Sequence, residues 1–378
     1  MKKICFVTGT RADYGIMAPI MGLLKESPDI ELQVVATNMH LSPKFGMTIN
    51  EIEKDGFVVN KKIESLSVAD TPKDIVRSMA LVQSGLADAF ETLSPDIVVI
   101  LGDRYEALAA ASAAVVFGIP IAHLHGGEIT KGAFDDSFRN AITMLSTWHF
   151  SSTPEYCSRI IGMGINRDKV FHSGAPGAEP LQHFRNKNIS EIFQETTGFS
   201  PNTPFIILAV HPVTMSPDLG MADVMSIISS LKPLLDNGYK VLITMPNSDP
   251  GNVSIAKQLM EWQLNNPTNV TILKSLGSEL FHFALSKARF IIGNSSAALI
   301  EAPSYKIPSI NVGDRQKGRT RGVSVLDARP EVEEITSFIE KALDEDFHIY
   351  LKNLSLQDIN PYFKKDSASF IADKLKKL

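Results

Sequence analysis

A series of short apolar runs, separated by helix-length stretches, constrains this chain more than any other feature. The runs are Ile4–Thr8, Leu32–Thr37, Ile97–Leu101, Pro120–His123, His149–Ser152, Phe205–Val210, Lys240–Thr244, Val270–Leu273, Phe290–Ile292 and Ser309–Val312. Most are β-branched, as strands buried on both faces are. Between them, Pro19–Lys25 and Ile75–Leu93 carry apolar residues at helical spacing, and Ala107–Phe117 reads as an Ala-rich helix able to pack closely on a sheet. Strand–helix alternation of this kind predicts parallel sheets joined by right-handed crossovers.

The alternation pauses once, over the polar stretch His183–Thr203, and a new strand series begins at Phe205. A chain of 378 residues is also long for one core. The pattern therefore predicts an α/β protein of two doubly wound, Rossmann-like domains facing across a cleft. The first spans 1–180 and the second 181–360, with the boundary near 175–200. Residues 361–378 form a terminal helix that returns to the first domain.

Composition narrows the function. Hydrophobic residues make up 44% and charged residues 21%, a soluble globular balance. Net charge is −5, from 37 basic and 42 acidic residues, so neither nucleic acid nor a membrane surface is an expected partner. The two cysteines, Cys5 and Cys157, have no metal or disulfide spacing. The apolar stretch after Met1 breaks at Gly9, Arg11 and Asp13, too early for a secretory signal. No run approaches the roughly 20 apolar residues that a membrane helix needs. The expected location is cytoplasmic.

Chemistry-bearing residues gather at strand ends, where open α/β sheets bind ligands. Gly102-Asp103-Arg104 closes one strand, and His123-Leu124-His125-Gly126-Gly127-Glu128 closes the next. Asp135 and Asp136 precede an expected helix, Ser137–Met144, where capping is the ordinary reading of one of them. His123 and His125 share a face if the strand runs that far, and one of them has the ordinary reading of a hydrogen-bonded core histidine. Zinc held by His123, His125 and Glu128 matches no common ligand spacing. The loop Thr8–Gly15, carrying Arg11, lies between a strand and a helix and has either an anion site or an ordinary turn as its reading. It lacks the three-glycine dinucleotide pattern, so no nicotinamide cofactor is expected.

The second half carries the clearer phosphate signal. Gly293-Asn294-Ser295-Ser296 runs from a strand into a helix starting near Ala297, placing two hydroxyls beside backbone N–H groups. Glu301 follows a turn later, placed to accept from ribose hydroxyls. His211 ends the strand Phe205–Val210, and Asn247 follows the strand Lys240–Thr244. A basic loop, Arg315, Lys317, Arg319 and Arg321, follows Asn311-Val312-Gly313-Asp314.

These motifs, with Met39-His40-Leu41-Ser42-Pro43 and Asp314-Arg315-Gln316-Lys317-Gly318-Arg319, resemble the hydrolysing UDP-N-acetylglucosamine 2-epimerases over essentially the whole chain. Close relatives in that family act on UDP-N,N′-diacetylbacillosamine. The resemblance implies a glycosyltransferase-B-like fold, no cofactor and no metal, a UDP-sugar as partner, a homodimer, and a role in sialic acid synthesis. It implies Asp103, Glu128 and Asp135 as acid/base carboxylates, with His125 and His211 beside them. It implies Arg11, Arg104, His211, Asn247, Ser295, Ser296, Glu301 and Arg315 as UDP-binding residues. There are departures from the non-hydrolysing relatives, which carry a proline and a glutamate where this chain has Ala12 and Asp13, and a glutamate at the place of His125. Glu128 or His125 takes over that glutamate's role. A non-hydrolysing epimerase, a glycosyltransferase and a nucleotide-sugar sensor are the rival readings.

Overall fold

The computed structural model describes residues 1–66, 71–181 and 184–378. His183, which opens the polar stretch, lies outside them. The strands are β1 (Lys2–Thr8), β2 (Ile30–Thr37), β3 (Lys61–Ile63), β4 (Ile97–Leu101), β5 (Ile121–Leu124), β6 (Trp148–Ser151), β7 (Val170–His172), β8 (Phe205–Ala209), β9 (Lys240–Thr244), β10 (Val270–Leu273), β11 (Ile291–Gly293), β12 (Ser309–Val312) and β13 (Val325–Ala328). They form two sheets, ordered β3-β2-β1-β4-β5-β6-β7 and β10-β9-β8-β11-β12-β13. Every pairing given for the two sheets is parallel.

Each sheet is therefore doubly wound, and its strand order reverses at one point. That point lies between β1 and β4 in the first sheet and between β8 and β11 in the second. Ligands of open α/β sheets bind outside the strand ends there. The motifs at Thr8–Gly15, Gly102–Arg104, His211 and Gly293–Ser296 all sit at these ends.

β3, β7 and β13 were not expected from sequence, and each is a sheet edge. Their burial alternates or stays partial, so no apolar run marks them, whereas the fourth edge, β10, keeps the run Val270–Leu273. In the central strands both faces are covered. Ile4, Phe6, Val34 and Val99 pack on one face of the first sheet, and Cys5, Val35, Val98 and Ile100 on the other. In the second sheet Ile206, Leu208, Val241 and Ile243 face one layer, and Phe205, Ile207, Ala209 and Leu242 the opposite one. Each such aliphatic side chain contributes roughly 1.5–3 kcal/mol on burial.

One compact unit comprises Met1–Ile129, Phe134–Gly177 and Tyr362–Leu378; the other comprises Thr130–Ala133 and Ala178–Pro361. The terminal helix Ser367–Lys377 contributes Ile371, Ala372 and Leu375 to the core of the first unit. Thr130–Ala133 belongs with the second because Lys131 N–H donates to the Lys317 carbonyl at 3.1 Å. Gly132 lies so close to Asp314 that a Cβ there would sit 2.4 Å from its carbonyl oxygen. Among the described residues, no helix is long and apolar enough to cross a membrane.

Candidate functional site

In the second unit the strand ends β8 and β11 are tied by one amide. Asn294 Oδ1 accepts from the His211 backbone N–H at 2.7 Å, and its Nδ2 donates to the His211 carbonyl at 2.9 Å. Gly293, just before it, is the one residue type the bend allows. Its φ is +136°, and a Cβ would lie 2.1 Å from the Ala209 carbonyl oxygen. His211 Nδ1 accepts from the Asn247 backbone N–H at 3.2 Å. It is thus the main chain of Asn247 that meets His211.

Arg315 spans the same two strand ends. Its Nε donates to the Pro212 carbonyl at 3.2 Å and its Nη1 to the Asn294 carbonyl at 3.3 Å, with Asp249 4.0 Å away. Gln316 Nε2 donates to the same Asn294 carbonyl at 2.8 Å. The basic run divides accordingly: Arg315 and Arg319 turn inward, while Lys317 is exposed and pairs with Asp314. Arg321 pairs with Asp327.

The expected phosphate cradle is altered in one respect. The helix after Ser296 has only four residues, Ala297–Ile300, so its dipole is small. The N–H groups of Asn294 and Ser295 both donate to the Ala209 carbonyl, at 3.1 and 3.2 Å. Ser295 is buried and Ser296 half-buried, and the first-turn N–H groups of Ala297 and Ala298 donate to the Ser295 hydroxyl (3.4 Å) and the Ser295 carbonyl (3.2 Å). Glu301 closes the helix, 3.8 Å from His282 Nε2. Burial pushes its carboxyl up to about 7 and the His282 ring down to about 4.

In the first unit the loop after β1 has already found its anion. Asp13 accepts from the N–H groups of Gly9 (3.0 Å) and Thr10 (3.1 Å) and from the Thr8 hydroxyl (2.6 Å). It also closes a capping box with Thr10. Burial alone would raise its pKa, but His40, Thr8 and Gly9 outweigh that and hold it below the usual value. Of the two readings of this loop, its main chain takes the ordinary turn: an internal carboxylate occupies the Gly9 and Thr10 N–H groups. Arg11 opens the following helix, and desolvation lowers it to about 10, with Glu51 opposing. Arg104 Nε donates to Glu106 at 2.6 Å and lies over the Tyr105 ring.

Asp103 and Glu128 lie just beyond the ends of β4 and β5. The strand stops at Leu124, and His125 has φ +62°, so it does not share a strand face with His123. His123 is a core histidine: its Nε2–H donates to the Gly102 carbonyl at 2.7 Å, and burial pushes the ring down to about 3. His125 Nδ1 lies 2.9 Å from Glu128 Oε1, which also accepts from Ser152 Oγ at 2.6 Å. Glu128 is fully buried. The next helix starts at Asp135, two residues earlier than expected, with no side-chain cap. Asp135 and Asp136 thus lie in its first turn rather than capping it, and Asp135 is buried.

The sequence reading missed Arg139. It pairs with Asp103 and with Asp136 and donates to the Glu128 carbonyl at 3.0 Å. Its signal was present: Asp135, Arg139, Ile142 and Thr143 follow helical spacing and form the buried stripe. Ser152 and Arg159 were also missed. Arg159 donates to the carbonyls of Gly127 and Glu128 at 2.8 and 2.7 Å.

The sequence profile of the UDP-N-acetylglucosamine 2-epimerase family matches residues 23–376. The chain belongs to this family. It is 34% identical to the GDP/UDP-N,N′-diacetylbacillosamine 2-epimerase (hydrolyzing) of Campylobacter jejuni, over 92% of this chain and 88% of that protein. It is also 34% identical to polysialic acid biosynthesis protein P7 of Escherichia coli, over 97% and 92% of the two chains. A crystal structure of UDP-GlcNAc 2-epimerase from Neisseria meningitidis bound to UDP-GlcNAc superposes with a TM-score of 0.83, at 20% identity, covering both chains completely. That likeness speaks for the glycosyltransferase-B-like fold of this epimerase.

Proposed function

We propose that this epimerase is a hydrolysing UDP-N-acetylglucosamine 2-epimerase, converting UDP-GlcNAc and water into UDP and N-acetylmannosamine for sialic acid synthesis. The carrying observation is that one chain holds both an acid/base cluster, at the β4 and β5 ends, and hydroxyl, histidine and arginine groups, at the β8 and β11 ends. The 2-hydrogen of the substrate is not beside a carbonyl. Breaking the C1–O bond to the diphosphate first makes the ring oxocarbenium-like and acidifies C2–H. Stabilising the departing diphosphate is then the largest single contribution, and Ser295, Ser296, His211 and Arg315 are the groups for it.

A base next takes the C2 proton and leaves a glycal. Water adds its hydroxyl to C1 while a proton arrives at C2 from the opposite face, which inverts that centre. Asp103 and Glu128, the latter with His125, are the two acid/base groups, and Asp135 orients one of them or the water. Arg11 and Arg104 complement the substrate's negative charge, and Glu301 receives the ribose hydroxyls.

A second substrate, UDP-N,N′-diacetylbacillosamine, is favoured by the names of two relatives at 34% identity, from Campylobacter jejuni and Legionella pneumophila. A UDP-N-acetylglucosamine 2-epimerase of Neisseria meningitidis, 31% identical, supports the first. Offering both UDP-sugars in D2O and identifying the free sugar by NMR decides between them. Deuterium at C2 of the released sugar is expected; a product without it refutes elimination and hydration. A retained UDP–sugar bond would mean a non-hydrolysing enzyme.

A further inference from the structure

We infer that Arg139 is a positioning residue that sets the spacing between Asp103 and Glu128. The inference rests on the acid/base reading of those two carboxylates. Arg139 is 1% exposed and heads the largest fully buried side chains among the described residues. A buried guanidinium costs several kcal/mol in desolvation unless it is paired, and an apolar residue would fill the same space more cheaply. Its bonds explain its presence. Nη2 donates to Asp103 Oδ2 at the end of β4, and Nη1 donates to the Glu128 carbonyl beyond the end of β5 at 3.0 Å. Asp136, 3.5 Å from Nη1, adds a second carboxylate from the same helix.

The guanidinium is flat and rigid, so bonds from its two terminal nitrogens fix the relation of the two loops they hold. Arg159 has a different task. It bonds Gly127, Glu128 and Asn140, and so anchors the Glu128 loop to the neighbouring helices. The Arg139 fork instead relates one acid's loop to the other acid. Elimination followed by hydration needs that relation, because one group removes a proton from C2 and another returns one from the far face. A misplacement of about 1 Å costs on the order of 100-fold in rate.

Arg139→Lys keeps the charge and loses the fork. It is expected to lower kcat by about 100-fold, with KM changed less than about threefold and with UDP affinity preserved, since the proposed UDP-binding groups at Ser295, Ser296 and Arg315 belong to the other unit. In an Asp103→Asn background the same substitution is expected to cost less than about threefold, because contacting residues that act together are not additive. Arg139→Gln serves as the second variant, with circular dichroism and UDP binding reporting that each protein is folded. A kcat within about tenfold of the parent for Arg139→Lys, or an equal cost in both backgrounds, overturns the inference. An inactive Asp103→Asn with a fully active Arg139→Lys removes only the role of Arg139. A fully active Asp103→Asn removes the acid/base reading and this inference with it.

Discussion

The backbone N–H of Asn247 donates to His211 Nδ1 at 3.2 Å. A main-chain N–H can only donate, so Nδ1 carries the lone pair and the neutral ring holds its proton on Nε2. Nε2–H is the donor that the proposed role of His211 towards the departing phosphate requires. Glutamine places its amide nitrogen near the Nε2 position, whereas the shorter asparagine places it near Nδ1. His211→Gln should therefore retain most activity. His211→Asn should lose about 2.7–4 kcal/mol of barrier lowering, the usual cost of one such donor. Steady-state kcat measurements compare the two, and equal rates would deny His211 this role.

In the proposed mechanism Asp103 and Arg315 serve different steps, so their variants should separate. Arg315 joins Pro212, Asn294 and the neighbourhood of Asp249, so Arg315→Ala, like Ser296→Ala, should weaken UDP binding measured by calorimetry. Asp103→Asn should lower turnover and leave UDP affinity unchanged. The same UDP affinity in all three proteins would refute the division of roles.

The central strands and the motifs at their ends were legible because both are local. A strand buried on two faces must be continuously apolar, and β1, β4, β8 and β9 were. What the sequence hid depends on partners far along the chain. Arg139 reads as one polar residue of a helix until the fold brings Asp103, 36 residues away, against it. Asp13 illustrates a choice the sequence left open. Its loop has the donors of an anion site, but whether an internal carboxylate folds back onto them depends on side-chain geometry that periodicity does not encode. That the helix after Ser296 stops after one turn was not legible for a related reason, because strand-to-helix composition does not state where a helix stops.

The buried histidines should make the fold sensitive to acid. Burial pushes His123 to about 3 and His149 to about 4, and the two are cross-strand neighbours on β5 and β6. Their folded values lie below the ordinary 6.5. The unfolded chain therefore takes up protons that the folded chain refuses, and stability falls as pH drops from about 6.5 toward 4. Urea unfolding of the first unit at pH 7, 5.5 and 4.5 should show a loss of several kcal/mol. His149→Leu should flatten that dependence; an unchanged slope would mean that other groups carry it.

Glu301 should act with the opposite sign. Its carboxyl, 19% exposed, is raised by burial from 4.5 to about 7, so the folded state holds this proton more tightly than the unfolded one. The favourable contribution is complete below pH 4.5 and is lost as pH rises through about 7. Between those limits the cost amounts to about 3 kcal/mol. A glutamine amide would copy the neutral carboxyl at every pH, so Glu301→Gln should match the parent near pH 4 and exceed it by up to about 3 kcal/mol at pH 8. Subtracting the two unfolding curves cancels the histidines, which both proteins share. A difference that does not grow with pH would show that the carboxylate is ionised in the fold without penalty, through compensation by neighbours such as His282 3.8 Å away.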